Sequence, residues 1–396
     1  ILLGELRGRD GVLRDVQLKG SGRTPFSRGG DGRAAIGPML REYLISEAMH
    51  ALGIPTTRSL AVVTTGEQVY RQEILPGAVL TRIATSHIRV GTFQFFAARG
   101  DVEGLQTLLD YVIERHYPEA RQAEVPALAV LAAVTERQAN LIADWMRVGF
   151  IHGVMNTDNM ALSGETIDYG PCAFMDKYDP QTVFSSIDQG GRYSYTNQPG
   201  IAQWNLARFA ETLLPLIDAD GNKAVALATE VLEGFIERFE MRFLAHIRRK
   251  LGLASEEEGD AELISQLLAA MQKAGADFTL TFSAMTRAVS DDTSLRALFS
   301  EPAEIDAWLQ NWRLRLSRDS QSETERAETL RLANPEVIPR NHRVEAALQA
   351  ASAGDLQPFR ELLDVIQRPY ERRPELVEYT QLPPPSEQKY KTFCGT

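Results

Sequence analysis

Cysteine is nearly absent from this sequence of 396 residues: Cys172 and Cys394 are the only two. Two cysteines cannot supply a disulfide scaffold or a cysteine-rich zinc site. Histidine is scarce as well, with six scattered residues and neither a His-Glu-x-x-His pattern nor a Cys/His cluster. No apolar run approaches the ~18 residues of a membrane span; the longest is Ala127–Val134. Basic residues are in deficit, 42 Lys and Arg against 53 Asp and Glu for a net charge of −11. That balance argues against a general binder of nucleic acid or of anionic membranes. A Walker A pattern and internal repeats are also missing. What remains is ordinary globular composition, 44% hydrophobic and 24% charged, which excludes a disordered or fibrous chain. A soluble, cytoplasmic protein of bacterial style is expected. The first residue is Ile1 rather than methionine, so a shortened amino terminus is expected too.

Two styles of sequence meet near residue 100. Before it, β-type stretches at Val16–Lys19, Leu60–Thr64, Val69–Glu73 and Ala78–Ile83 alternate with Gly, Pro and Thr turns. One helix interrupts them, about Pro38–Leu52, with Leu40, Leu44, Ile45, Ala48 and Leu52 on one face and Gly53 and Pro55 as stop signals. After residue 100 the periodicity is helical: Leu105–Arg115, Leu128–Val148, Ala202–Ile217, a single long helix Ala224–Leu251, and Ala261–Lys273. Arg318–Arg331 reads as a linker or solvated helix, Asn334–Ala346 opens a carboxy-terminal helical segment, and Leu382–Thr396 reads as an extended tail. The pattern predicts an α+β fold in three parts: a β-rich part over 1–100, a helical part over 101–317, and a carboxy-terminal helical segment with its tail over 318–396.

Charge is distributed unevenly. Between Lys19 and Arg41 stand Lys19, Arg23, Arg28, Arg33 and Arg41 against Asp31 alone, among Gly20, Gly22, Gly29, Gly30 and Gly32. Glycine lets backbone N–H groups approach an anion and arginine offers forked donors for phosphate oxygens. A solvated surface loop would have the same composition. Lys19 ends a β-type run and Glu42 sits early on the following helix, an arrangement that positions nucleotide phosphates in the protein-kinase fold. Further on, His152-Gly153-Val154-Met155-Asn156-Thr157-Asp158-Asn159 precedes Ile167-Asp168-Tyr169-Gly170. The pair resembles a kinase catalytic loop and metal-binding turn, which puts Asn159 and Asp168 where metal ligands belong. Two hard oxygen ligands suit Mg²⁺ or Mn²⁺. One departure stands out: two residues after the histidine, where a kinase has its base, this chain has Val154, which cannot accept a proton. The nearest carboxylate is Asp158.

Longer motifs narrow the resemblance. Gln17-Leu18-Lys19-Gly20-Ser21-Gly22-Arg23-Thr24-Pro25-Phe26-Ser27-Arg28, Gly30-Asp31-Gly32-Arg33-Ala34, Leu40-Arg41-Glu42-Tyr43, Ser86-His87-Ile88-Arg89-Val90-Gly91-Thr92-Phe93, the His152–Met160 loop, Asp168-Tyr169-Gly170-Pro171-Cys172 and Asn334-Pro335 together resemble the selenoprotein O family along the whole chain. The resemblance implies a kinase-like bilobal fold and transfer of AMP from ATP to Ser, Thr or Tyr hydroxyls of proteins, the chain itself among them. UTP is a further candidate donor. The nucleotide would lie reversed, with its α-phosphate at the metals. Lys19, Arg82 and Arg89 would hold phosphates, Asp31 and Gly32 would contribute to nucleotide binding, and Glu42 would orient Lys19. Asn159 and Asp168 would bind metal, and Asp158 would accept the proton. A further glycine-rich stretch is implied before Ile1. Cys394, near the end of a Pro-rich tail, is expected to bridge to Cys172 and restrain the metal-binding turn. A phosphotransferase with an atypical base and a non-catalytic nucleotide-binding pseudokinase remain as alternatives.

Overall fold

The structure is a computed structural model that describes residues 1–25, 27, 29–71, 73–384 and 390–392. It begins with an antiparallel sheet. β1 (Leu2–Arg7) pairs with β2 (Leu13–Lys19), and β2 pairs with β5 (Ile74–Ala84). The short β3 (Ala34–Ala35) continues along the same side of β5, while β4 (Arg58–Tyr70) takes the other side. The register sets Gln17 opposite Arg82 and Lys19 opposite Leu80. Residues two apart in a strand share a face, so Gln17 and Lys19 project to the same side.

The two strands expected at Leu60–Thr64 and Val69–Glu73 are one. Gly66, at φ 74°, sits inside β4, where the ladder slips between Thr64 and Gln68. The left-handed residue that signals a turn in sequence is here accommodated as a strand irregularity, and the hairpin reverses later, where Arg71 N–H donates to Glu73 O.

α1 (Ile36–Ala51) packs on β4 and β5 with the expected stripe, and Leu40, Leu44, Ile45, Ala48 and Leu52 are all buried. Each of its leucines and the isoleucine contributes roughly 1.5–3 kcal/mol of burial energy. The helix stops in a Schellman arrangement: Gly53 at φ 75° donates to His50 O and Ile54 N–H donates to Met49 O.

α2 (Val90–Ala97) follows the sheet, and then α3 (Val102–His116) and α4 (Pro126–Arg147). A two-residue ladder, β6 (Phe150–Ile151) with β7 (Ala173–Phe174), closes a long excursion over residues 152–172. The remainder is helical: α5 (Gln198–Ile217), α6 (Gly221–Glu233), α7 (Phe235–Lys250), α8 (Asp260–Ala274), α9 (Phe278–Ala288), α10 (Thr293–Arg296), α11 (Pro302–Arg318), α12 (Glu323–Ala333), α13 (Asn341–Ser352) and α14 (Gln357–Ile366). Among the described residues no helix is long and apolar enough to cross a membrane.

The long helix expected over Ala224–Leu251 is two helices, separated at Gly234. Glycine weakens a helix interior by about 1 kcal/mol relative to alanine, and the chain bends there while Phe235 and Phe239 stay buried. The charged stretch expected to be linker or solvated helix is the end of α11 and most of α12. It is fastened by Arg326, buried and donating to Leu316 O at 3.0 Å, and by a Ser322/Glu325 capping box. α13 and α14 return to pack on α1.

Candidate active site

The elements that carry Lys19, Glu42, Arg82, Arg89, Asp158, Asn159 and Asp168 meet at one cleft. Lys19 closes β2, Arg82 lies in β5, Arg89 is the N-cap of α2, and Glu42 is in the second turn of α1. Asp158 and Asn159 form a 3-10 turn, and Asp168 follows on the return path to β7. The two turns are tied to each other by His152. Its Nδ1 accepts from Val154 N–H, which leaves Nε2–H to donate to Ile167 O at 2.9 Å. The ring is buried against Trp145, and burial lowers its pKa, so it serves as a neutral brace. Gln198 accepts from His152 N–H and donates to Phe150 O, while Asn205 donates to Met155 O. Helix α5 thus props the excursion from below.

The centre of the cleft is an ion cluster. Lys19 Nζ lies 2.6 Å from Glu42 Oε2 and 2.7 Å from Asp168 Oδ1. Arg82 Nη1 lies 2.8 Å from Glu42 Oε1 and 2.6 Å from Asp168 Oδ1. Arg89 Nη1 reaches Asp168 Oδ2 at 2.7 Å and donates to Asp158 O at 2.5 Å. Three cations therefore surround one carboxylate. Burial alone would raise the Asp168 pKa, but Lys19, Arg89 and Arg82 outweigh it and hold the carboxyl well below its ordinary range. Burial likewise opposes the Lys19 charge, and Asp168 and Glu42 overcome it, so the ammonium is more basic than usual.

Asp168 is the one non-glycine with positive φ among the described residues, at 65°. Aspartate is among the few non-glycine residues that adopt this conformation, at a cost of about 1–3 kcal/mol that the surrounding contacts offset. Asp158 is placed by a close approach. A Cβ added to Gly91 would stand 2.2 Å from Asp158 Oδ1, so the carboxylate rests against the first turn of α2 where only glycine leaves room.

Asn159 and Asp168 both line a cavity of about 710 Å³ with Lys19, Glu42 and Asp158. Asn159 donates from Nδ2 to Val154 O at 2.9 Å, which leaves its Oδ1 facing other duties. An amide oxygen and a carboxylate are the donor set of a hard divalent ion such as Mg²⁺. No group of three or more His, Cys, Asp or Glu able to hold a metal occurs among the described residues. An ion at this pair would draw its remaining ligands from nucleotide and water.

Asp31 and Gly32 are not gathered into this cluster. They sit on the glycine-rich hairpin after β2, where Asp31 accepts from Arg71 and from Arg33 N–H. Gly32 is fixed by close packing, since a Cβ there would meet Gly22 O at 2.2 Å. Cys172 is buried directly behind the turn with its thiol pKa pushed up to about 12 by burial, and its Sγ donates to Tyr169 O. Cys394, and with it the expected bridge, lies outside the described residues.

Five residues take places at the site that sequence reading did not assign to them. Gln17 accepts from Arg82 Nε and Nη2 and so aims the arginine; its period-two spacing from Lys19 was the available signal. Arg41 reaches the Asp168 turn from α1. Leu348, Tyr390 and Thr392, from the carboxy-terminal segment, line the same cavity, and Thr392 donates from Oγ1 to Pro171 O at 2.5 Å.

Comparison with known proteins identifies the family. The family described as Protein adenylyltransferase SelO matches residues 1–367. A protein of Rhizobium johnstonii named Protein nucleotidyltransferase YdiU is 62% identical over 400 residues, which covers all of this chain and 80% of that protein. Proteins of the same name from Rhodopseudomonas palustris and Methylorubrum populi are 60% and 57% identical, over all of this chain and 81% and 82% of theirs. With the family spanning nearly its full length, the chain belongs to the SelO protein adenylyltransferases and is a protein nucleotidyltransferase.

Proposed function

We propose that the protein moves AMP from ATP to Ser, Thr or Tyr hydroxyls of cytoplasmic proteins, itself included, within a kinase-like bilobal fold. In this reading residues 1–100 are the small lobe, 101–317 the helical lobe, and 318–396 a carboxy-terminal addition. The observation that carries it is the meeting of Lys19, Arg82 and Arg89 at Asp168. Three cations on one carboxylate are more positive charge than that carboxylate and Glu42 balance, and a triphosphate supplies the rest. With phosphates paired to the three cations, Asp168 and Asn159 would be the residues to hold a divalent ion. When bound, Mg²⁺ or Mn²⁺ would neutralise charge on the phosphate oxygens.

The chain's own residues account for the remaining work. Arg82, fixed by Gln17 and Glu42, and Arg89, fixed at Asp158 O, present permanently charged forks to the distal phosphates. A reversed nucleotide puts its α-phosphorus at the Asp158–Asn159 turn. The acceptor hydroxyl oxygen bonds to that phosphorus, the bond to the bridging oxygen of the β-phosphate breaks, pyrophosphate leaves, and the hydroxyl proton passes to an Asp158 carboxylate oxygen. Val154, apolar where a kinase carries its base, fits this change of register. Positioning and charge stabilisation dominate such transfers, which suits a site rich in fixed cations.

The test is incubation with ATP labelled separately at the α and γ phosphates, followed by intact-mass measurement. Label from the α position and a gain of one AMP unit are expected. Protein labelled from the γ position alone would overturn the reading.

A further inference from the structure

Arg41 stands beside Glu42 on α1, yet nothing in the reaction above uses it. Its side chain is 7% exposed, and all three guanidinium nitrogens are engaged. Nε donates to Gly170 O at 3.1 Å and Nη2 donates to Cys172 O, so the backbone just after Asp168 is held on both sides of Pro171. On the other side Nη2 donates to Asn341 Oδ1 at 3.1 Å and Nη1 pairs with Glu345 Oε1 at 2.8 Å, one turn apart on α13. The Tyr390 hydroxyl hydrogen-bonds to Glu345 in turn. Arg41 therefore joins the strained Asp168 turn to a helix roughly 300 residues away in sequence.

We propose that Arg41 is a positioning residue that holds the Asp168 turn in its metal-accepting form, and that α13, through Asn341 and Glu345, holds Arg41. The inference rests on the metal assignment made above. Its logic is geometric. Asp168 sits at φ 65° directly before the carbonyls that Arg41 pins, and a planar fork with several fixed donors can pin two carbonyls and two side chains at once. Lysine, a single point charge on a flexible stem, cannot. The carboxy-terminal segment is then part of the catalytic apparatus. Because Glu42 is the next residue on the same helix, any displacement of α1 would disturb the phosphate-holding cations and the metal turn together.

The test compares wild type with Arg41→Lys, Glu345→Gln and Asn341→Ala in four measurements: thermal melting, ATP affinity without metal, Mn²⁺ affinity of the ATP complex by paramagnetic resonance, and AMP transfer split into kcat and KM. Arg41→Lys should melt cooperatively and bind ATP alone within about 2-fold of wild type. Its Mn²⁺ affinity and kcat should both fall by about 10-fold or more, as expected for an outer partner of a metal ligand. Glu345→Gln, at a half-exposed position that tolerates change, should move the same two quantities in the same direction, more weakly. Unchanged Mn²⁺ affinity in Arg41→Lys overturns the proposal, as does a loss of ATP affinity in step with kcat, which would mark a merely structural residue. Wild-type protein that binds Mn²⁺ but moves no AMP sinks the transfer reading and leaves this one standing; wild type that binds no Mn²⁺ sinks both.

Discussion

Lys19 Nζ and Asp168 Oδ1 lie 2.7 Å apart although 149 residues separate them in the chain. The contact joins the end of a sheet strand to the second turn of the excursion over residues 152–172, and it is one of three cationic contacts to the same carboxylate. It makes Asp168 both a candidate metal ligand and the electrostatic keystone of the cleft before substrate arrives.

Asp168→Asn therefore separates two roles. Transfer of AMP should fall below detection. ATP affinity measured without metal should be at least that of wild type, since Lys19, Arg82 and Arg89 no longer have a competing carboxylate. Removing one partner from a buried ion cluster typically costs about 3–5 kcal/mol, so denaturant melts should show a clear loss of stability in the absence of nucleotide and partial recovery with ATP. Residual transfer near the wild-type rate would refute the assignment.

Gly91→Ala probes the placement of Asp158. The new methyl would meet Asp158 Oδ1 at 2.2 Å, so the carboxylate must move. A displacement of about 1 Å in a catalytic group can cost 100-fold in rate. We expect kcat to fall by about 10- to 100-fold with ATP affinity little changed. Equal losses in both would show that α2 itself had shifted.

Gln17→Leu tests the aim of Arg82. Glu42 still holds the guanidinium from one side, but the two donors turned toward Gln17 lose their acceptor. The expected result is a KM for ATP raised about 3- to 10-fold, with kcat changed less, as for an interaction made equally in ground and transition states. A wild-type KM would remove Gln17 from the site.

His116 gives a pH dependence that is independent of the cleft. It is largely buried, and burial, with Arg115 and Arg137 nearby, lowers its pKa to about 4 from 6.5. The unfolded chain binds the proton more readily, so stability is fully present above pH 6.5 and is lost as pH falls toward 4. Chemical denaturation should find the protein roughly 2–3 kcal/mol less stable at pH 4.5 than at pH 7 from this group. His116→Asn should remove that part of the difference; an unaltered pH profile would contradict it.

Much of the site could be read because its residues sit at the ends of local motifs. Lys19 closes an apolar strand, Glu42 follows a helix start, and the His152–Asn159 and Ile167–Gly170 stretches announce turns by composition. The fold around them was legible where periodicity was strong, as in the buried stripe of α1. It was less so where glycine plays two parts: Gly66 reads as a turn yet lies within β4, and Gly234 reads as tolerable in one helix yet divides two. The partners of Arg41 and Gln17, and the place of Tyr390 in the cavity, carry little local signal, because these roles depend on contacts made across the tertiary fold. Nor could spacing foretell that Lys19, Arg82 and Arg89 would all fall on Asp168.

The two-residue ladder between Phe150–Ile151 and Ala173–Phe174 is the common root of both turns. A stem this short parts as one unit, and if Phe150 and Phe174 separate, the anchor that the Asp158 and Asp168 turns share is lost in the same event. Warming should accordingly extinguish turnover in step with exchange of the amide hydrogens in this stem, with no half-competent species between the working protein and one that has lost its grip on both carboxylates.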